Sequence, residues 1–140
     1  MIDRLTTHFD FHGEALKLRS ERQRLIASNI ANADTPHFQA RDFNFGAALA
    51  DATQQLSTTH AKGARLARTD AAHFAQTHAG IAGGRPGLLF RQPAQGALDD
   101  NTVDMDVERA NFAENSLRYE ASLRFLNGQV KTLSMAINGQ

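Results

Sequence analysis

The chain has 140 residues, 15 Lys plus Arg against 15 Asp plus Glu, six His, and neither Cys nor Trp. That length holds one modest domain or two helical ends around a small insert, and zero formal charge removes the long-range field that draws a protein to nucleic acid or an anionic bilayer. Without cysteine there is no disulfide, thiolate metal site or Cys nucleophile, and with 23 Ala among its apolar residues the chain buries a thin seam more readily than a deep globule.

The first thirty residues include Asp3, Arg4, Asp10, Glu14, Lys17 and Arg19, which leave no uninterrupted apolar stretch for a secretory signal. No segment of the sequence is apolar enough to span a bilayer, so direct membrane insertion is not expected. A stripe through Leu5, Phe9, His12, Leu16, Arg19, Gln23, Ile26, Ile30 and Ala33 keeps the 4,3 spacing of a helix face, with Phe11, Ala15, Leu18 and Leu25 on an adjacent face. Two moderately apolar faces suit contact with more than one neighbour. The helix is expected to run through Ala33 and to end at Asp34, Thr35 and Pro36, because proline pushes the residue before it out of the α region.

Residues 46–100 read as a loop-rich middle segment, set between an N-terminal unit over 1–45 and a C-terminal helix over 101–140. Gly80, Gly83, Gly84, Pro86, Gly87, Pro93 and Gly96 crowd together there. Gly46 to Leu56 is expected to form a short helix, Asp70 to cap another turn or two, and Leu88 to Arg91 to form a short strand. With three Val and five Ile in the whole chain, no extensive sheet is expected.

The C-terminal pattern is the clearest. Phe112, Ser116, Tyr119, Leu123, Leu126, Val130, Leu133 and Ile137 recur with a coiled-coil period, and all but Ser116 are apolar. Asp104 is placed to cap this helix, early acids and later Arg118, Arg124 and Lys131 complement its dipole, and Asn138 and Gly139 mark its stop. From about residue 105 to 137 it would be ~50 Å long, and so narrow a stripe on so long a rod needs a partner. The fold expected is mainly α: long N- and C-terminal helices pairing as a coiled-coil-like hairpin, with the middle insert holding short helices or a small β element.

Chemistry is sparse. His8 and His12 share the i, i+4 spacing of a zinc pair but lack a third ligand, and His37, His60, His73 and His78 are scattered through loop-like sequence. The acidic run from Asp99 to Asp106 fails as a calcium loop at Val103, Asp104 and Ala110, and Leu88 and Leu89 follow Gly87 where a phosphate loop needs Lys and Ser or Thr. Lys17, Arg19, Arg22 and Arg24 are interleaved with Glu14 and Glu21, leaving too small an excess for a phosphate-binding stripe. No catalytic constellation, metal site or cofactor is expected.

One segment resists a packing explanation. In Ala27-Ser28-Asn29-Ile30-Ala31-Asn32-Ala33-Asp34-Thr35-Pro36, two poor helix formers, Asn29 and Asn32, stand at i, i+3 amid Ile and Ala. Either their amides have specific partners, or Asn32 and Asp34 merely signal a helix exit. The motif resembles that of the flagellar rod, hook and hook-associated axial proteins, in which Ala-x-Asn-Ile/Val-Ala-Asn is followed, after a spacer, by Thr-Pro-Gly-Tyr. Here His37 and Phe38 replace the glycine and tyrosine. Ala40-Arg41-Asp42-Phe43, Asp99 to Asp104 and Ala113 to Tyr119 are similar to the proximal rod proteins of that family, with Asp100 in place of a glycine. A positive φ at His37 or Asp100 would be strained.

The resemblance implies a non-enzymatic structural subunit of the bacterial flagellar basal-body rod, assembling through its terminal helices into a torque-transmitting tube. It implies self-association, contacts with other rod proteins and with the protein joining rod to membrane ring, and passage through the flagellar type III export apparatus without a cleaved signal, to a rod that spans the periplasm. The expected assembly residues are Asn29, Ile30, Asn32, Thr35, Pro36 and Phe38 at the N-terminal junction, and Leu117, Tyr119, Leu123, Leu126, Val130 and Leu133 on the C-terminal helix. The competing reading is a soluble helical adaptor or export chaperone that binds one protein partner.

Overall fold

A computed structural model describes residues 2–60, 81–82, 85–92 and 98–139. Its elements in chain order are α1 (Ile2–Ala31), β1 (Arg41–Asp42), α2 (Phe45–His60), β2 (Ile81–Ala82), β3 (Arg85–Pro86), β4 (Leu89–Phe90) and α3 (Met105–Asn138). The two long helices pack on one another, as the hairpin reading expects, and α2 packs on α1.

Helix α1 stops at Ala31, two residues before the expected Ala33. The Asn32 and Ala33 amides turn back to Asn29 O and Ile30 O at 3.1 and 3.3 Å, closing a tighter i→i−3 turn. The Asn32 side chain donates to Ser28 O at 2.8 Å, satisfying a carbonyl that the helix end would otherwise orphan.

Helix α2 is longer than Gly46 to Leu56. Asn44 caps it, its Oδ1 accepting from Ala47 N at 3.1 Å, and Phe45, Ala48, Leu49, Ala52 and Leu56 turn inward at helical spacing. The polar turn that follows, to His60, extends the helix by propagation and needs no stripe of its own. The expected strand over 88–91 is the two-residue β4, paired antiparallel with β1 in the register Arg41 to Phe90 and Asp42 to Leu89. β2 and β3 form a second small ladder, Ile81 opposite Pro86. The turn expected at Asp70, His73 and His78 lie outside the described residues.

Helix α3 follows the sequence closely. Asp104 is extended, at φ −104°, and its Oδ1 accepts from Asp106 N and Val107 N at 3.0 and 3.2 Å. At the other end Gly139 adopts φ 72° and returns its N–H to Met135 O at 3.0 Å, the left-handed stop that glycine enters without penalty.

The apolar core is small and off-centre. Leu18, Phe43 and Ala48 are buried together with Leu25, Phe45 and Leu49 around them, where α1, α2 and the chain after β1 meet. Along the α1–α3 seam the buried α3 residues are Glu108 and Asn115, so polar groups locate this pairing.

Candidate assembly junction

Asn29 explains its own presence. It is almost completely buried, donates from Nδ2 to Arg41 O at 2.9 Å and accepts at Oδ1 from Arg41 N at 3.0 Å, pairing with both backbone groups of one β1 residue as a neighbouring strand would. Its Nδ2 also lies 3.3 Å from Glu108 Oε2 on α3. One amide therefore ties both helices to the strand between them.

Glu108 begins a chain of charges. Its buried carboxylate accepts from Arg91 Nη1 at 2.6 Å, and the same guanidinium reaches Asp42 Oδ2 at 2.7 Å through Nη2. Arg22 closes on Asp42 from α1 with two parallel bonds, Nε to Oδ1 at 3.0 Å and Nη2 to Oδ2 at 2.9 Å. Burial alone would raise the Asp42 carboxyl, but hydrogen bonds from Arg22 and the Phe43 N–H, the Arg22 charge and Arg91 together hold it below its ordinary value. The bond to Asp42 raises Arg22 in turn. Arg19 moves the other way, lowered first by burial and then by Arg118 and Arg22; its guanidinium lies 4.6 Å from the Phe45 ring centre.

A second polar knot holds the exit from α1 against the approach to α3. The Asn101 amide donates to three carbonyls, Asn32 O at 3.1 Å, Ala33 O at 2.7 Å and Thr35 O at 3.0 Å, while its Oδ1 accepts from Val103 N at 2.8 Å. Beside it His37 N donates to Asp99 O at 2.9 Å, Thr102 N to Phe38 O at 3.1 Å, and Ala40 N to Thr102 Oγ1 at 2.7 Å. His37 and Asp100 both take positive φ, 61° and 56°, at the two positions where the resemblance expects glycine, and their side chains pair at 3.4 Å on the surface. The strain expected from the sequence is present at both positions. Farther along, buried Asn115 donates to Arg19 O at 2.9 Å and to the Gln23 side chain, fixing α3 on α1.

The expected assembly residues divide into three groups. Asn29 is spent within the chain, and Asn32 serves the helix exit, its Oδ1 accepting from Thr35 Oγ1 at 3.2 Å. Ile30 and Phe38 are half-buried, whereas Thr35 and Pro36 are exposed beside them. On α3, Leu126 and Leu133 are half-buried, but Leu117, Tyr119, Leu123 and Val130 face solvent, as do Phe112 and Ile137. The eight-position stripe thus straddles the edge of the seam, leaving Phe112, Tyr119, Leu123, Val130 and Ile137 as a continuous exposed ridge.

Arg22, Asp42, Arg91, Glu108, Asn101 and Asn115 were not singled out from the sequence as site residues. Glu108 and Asn115 carried a signal nevertheless: seven residues apart, they are polar groups sharing one helix face beside an apolar stripe. Arg91 carried none, since only the fold brings it to Glu108.

Residues 9–39 match the family model described as flagella basal body rod protein. A flagellar basal body rod protein FlgB of Proteus mirabilis (strain HI4320) is 46% identical over 139 residues, covering 95% of each chain. The chain belongs to the FlgB family of flagellar basal-body rod proteins. The FlgB of Salmonella typhimurium (strain LT2) is 42% identical over 140 residues, 99% of each chain, and that of Cereibacter sphaeroides (strain ATCC 17029) is 46% identical with 92% of each covered. As a FlgB-family member, this chain is a structural subunit of the rod in the flagellar basal body, associating with other rod and basal-body proteins. The adaptor reading gives way to it. No helix among the described residues is long and apolar enough to cross a membrane.

Proposed function

We propose that this subunit occupies the proximal part of a periplasm-spanning rod, reaches it through the flagellar type III export apparatus without a cleaved signal, and there contacts its own copies, neighbouring rod proteins and the protein that joins the rod to the membrane ring. It catalyses no reaction. The work of residues 29–43 and 99–108 is to fix the angle at which chain leaves α1 and enters α3, with Asn29, Ile30, Asn32, Thr35, Pro36 and Phe38 shaping that junction. Leu126 and Leu133 seat α3 on α1, and Leu117, Tyr119, Leu123 and Val130 supply area to neighbours.

The observation that carries this reading is the uncovered ridge. Five large apolar side chains in register along a 34-residue helix form a strip that folding leaves in water, and such a strip marks a surface for association. The test is to replace Leu123 and Val130 by Asp. Both are exposed, so isolated protein should keep its helical circular dichroism and urea midpoint while cells carrying the double variant stop swimming and yield no rods. Normal swimming would remove the ridge from the assembly surface.

A further inference from the structure

Packing holds β4 only weakly. Leu89 and Phe90 are 60 and 63% exposed, and the ladder to β1 is two residues long, whereas even a full two-stranded hairpin is marginal on its own. Arg41 turns its N–H and C=O to the Asn29 amide, so by the alternation of an antiparallel pair Ala40 and Asp42 turn theirs toward β4. Arg91 N donates to Ala40 O at 2.9 Å, and Leu89 stands opposite Asp42. The firmest hold on the strand is the Arg91 side chain just beyond it, which reaches inward to Asp42 on β1 and Glu108 on α3.

That hold works in both directions. Glu108 is fully buried, and among the described residues Arg91 is the one cation bonded to it. Arg22, the other guanidinium of the cluster, is committed to Asp42 through two parallel bonds, and the Asn29 Nδ2 that lies 3.3 Å from Glu108 is shared with Arg41 O. Lifting β4 while α3 stays seated would strand an ionised carboxylate away from water, the most unfavourable way to part such a pair. Glu108 regains water only if the first turns of α3 lift as well. Those turns follow directly on the segment joined to the exit from α1 by His37 N to Asp99 O and Thr102 N to Phe38 O, so these bonds open in the same event.

We propose that β4 is a strap whose docking and the seating of the first turns of α3 on α1 form one cooperative unit, closed through Arg91 and Glu108. An event at the exposed strand is thereby felt at the helix junction: pulling Leu89 and Phe90 away loosens the angle between α1 and α3, and pinning them stiffens it. The device belongs to the folded chain and does not depend on its station in the rod.

Amide hydrogen exchange of the full chain, followed residue by residue by NMR, reads the coupling. The amide of residue 91 reports the strap, those of His37 and Thr102 report the junction, and that of Ala48, bonded to Asn44 O at 2.9 Å, reports the α1–α2 core, which shares no bond with Arg91. Leu89→Pro attacks the strap at an exposed position by removing a strand N–H. Exchange at residues 91, 37 and 102 should then rise together by about tenfold or more, with Ala48 changing by less than about twofold. In a chain carrying both Arg91→Met and Glu108→Met no charge can be stranded, so Leu89→Pro should free the amide of residue 91 alone and leave His37 and Thr102 within about twofold. The backbone bonds are the same in both backgrounds, so only the ion pair can account for the difference. Four results would overturn the proposal: His37 and Thr102 unchanged by Leu89→Pro in the natural background, equal acceleration there in both backgrounds, acceleration of Ala48 along with the rest, or no protection at His37 and Thr102 before Leu89→Pro is introduced in either background.

Discussion

Arg91 is the residue whose removal should be felt most unevenly. It bridges carboxylates from two elements, Glu108 at 2.6 Å and Asp42 at 2.7 Å. Substituting Met keeps the apolar stem and deletes the charge. Asp42 then still holds both bonds from Arg22 and the Phe43 N–H, but Glu108, whose side chain is 1% exposed, keeps among the described residues only the long contact from Asn29. Breaking a buried pair from one side costs about 3–5 kcal/mol because the remaining charge has no solvent to return to. That is a large part of the ~5–15 kcal/mol by which domains of this kind are stable. Replacing Glu108 by Met as well removes the stranded charge, and swaps of ion pairs for apolar side chains of similar volume are often close to neutral. Urea melts of the two single variants and the double, followed by circular dichroism at constant m-value, should therefore show Arg91→Met severely destabilised and the double variant recovering about 2–3 kcal/mol. Asp42→Asn on the Arg91→Met background should recover much less. A cost below about 1 kcal/mol for Arg91→Met, or equal rescue by Asp42→Asn, would refute the reasoning.

The Asp42 carboxyl sits below its ordinary value in the folded chain, so its contribution is complete above the unfolded value near 4 and fades as pH falls through the folded one. Asp42→Asn should cost about 1–3 kcal/mol at pH 7, with the gap to the natural chain shrinking steadily below about pH 4; a gap unchanged at pH 3 would contradict this. At the two strained turns, a left-handed conformation costs a non-glycine residue roughly 1–2 kcal/mol, against ~0.4–1 kcal/mol of unfolded-state entropy that glycine brings. His37→Gly should accordingly raise stability by about 0.5 kcal/mol and Asp100→Gly should be nearly neutral, since Asp tolerates this region better; a clear loss at His37→Gly would show that the His37–Asp100 pair matters more than the strain.

Local signals in the sequence carried the helices. Asp104, Gly139 and the 4,3 stripe placed α3 almost to the residue, because a cap and a left-handed stop act on the groups beside them. The Asn29 and Asn32 alternatives were both correct, each for one residue: the first amide has distant partners and the second serves the exit turn. What periodicity did not reveal is how the stripe divides. Leu126 and Leu133 turn toward α1 while Tyr119, Leu123 and Val130 stay outside, because Glu108 and Asn115 take the centre of the seam and rotate the apolar residues to its edge. The ion chain was hidden for a different reason. Arg22, Asp42, Arg91 and Glu108 are 17 to 49 residues apart where they pair, and nothing short-range announces such a meeting.

The ladder between β1 and β4 brings Asp42 and Leu89 side by side, so the polypeptide between them departs and comes home at a single gate. Doubling the length of such an excursion adds only about 0.6 kcal/mol of closure entropy. Length can thus be added between α2 and β4 at small thermodynamic cost, while α2 stays in the core and Arg91 on Asp42 holds the two ends of the excursion together.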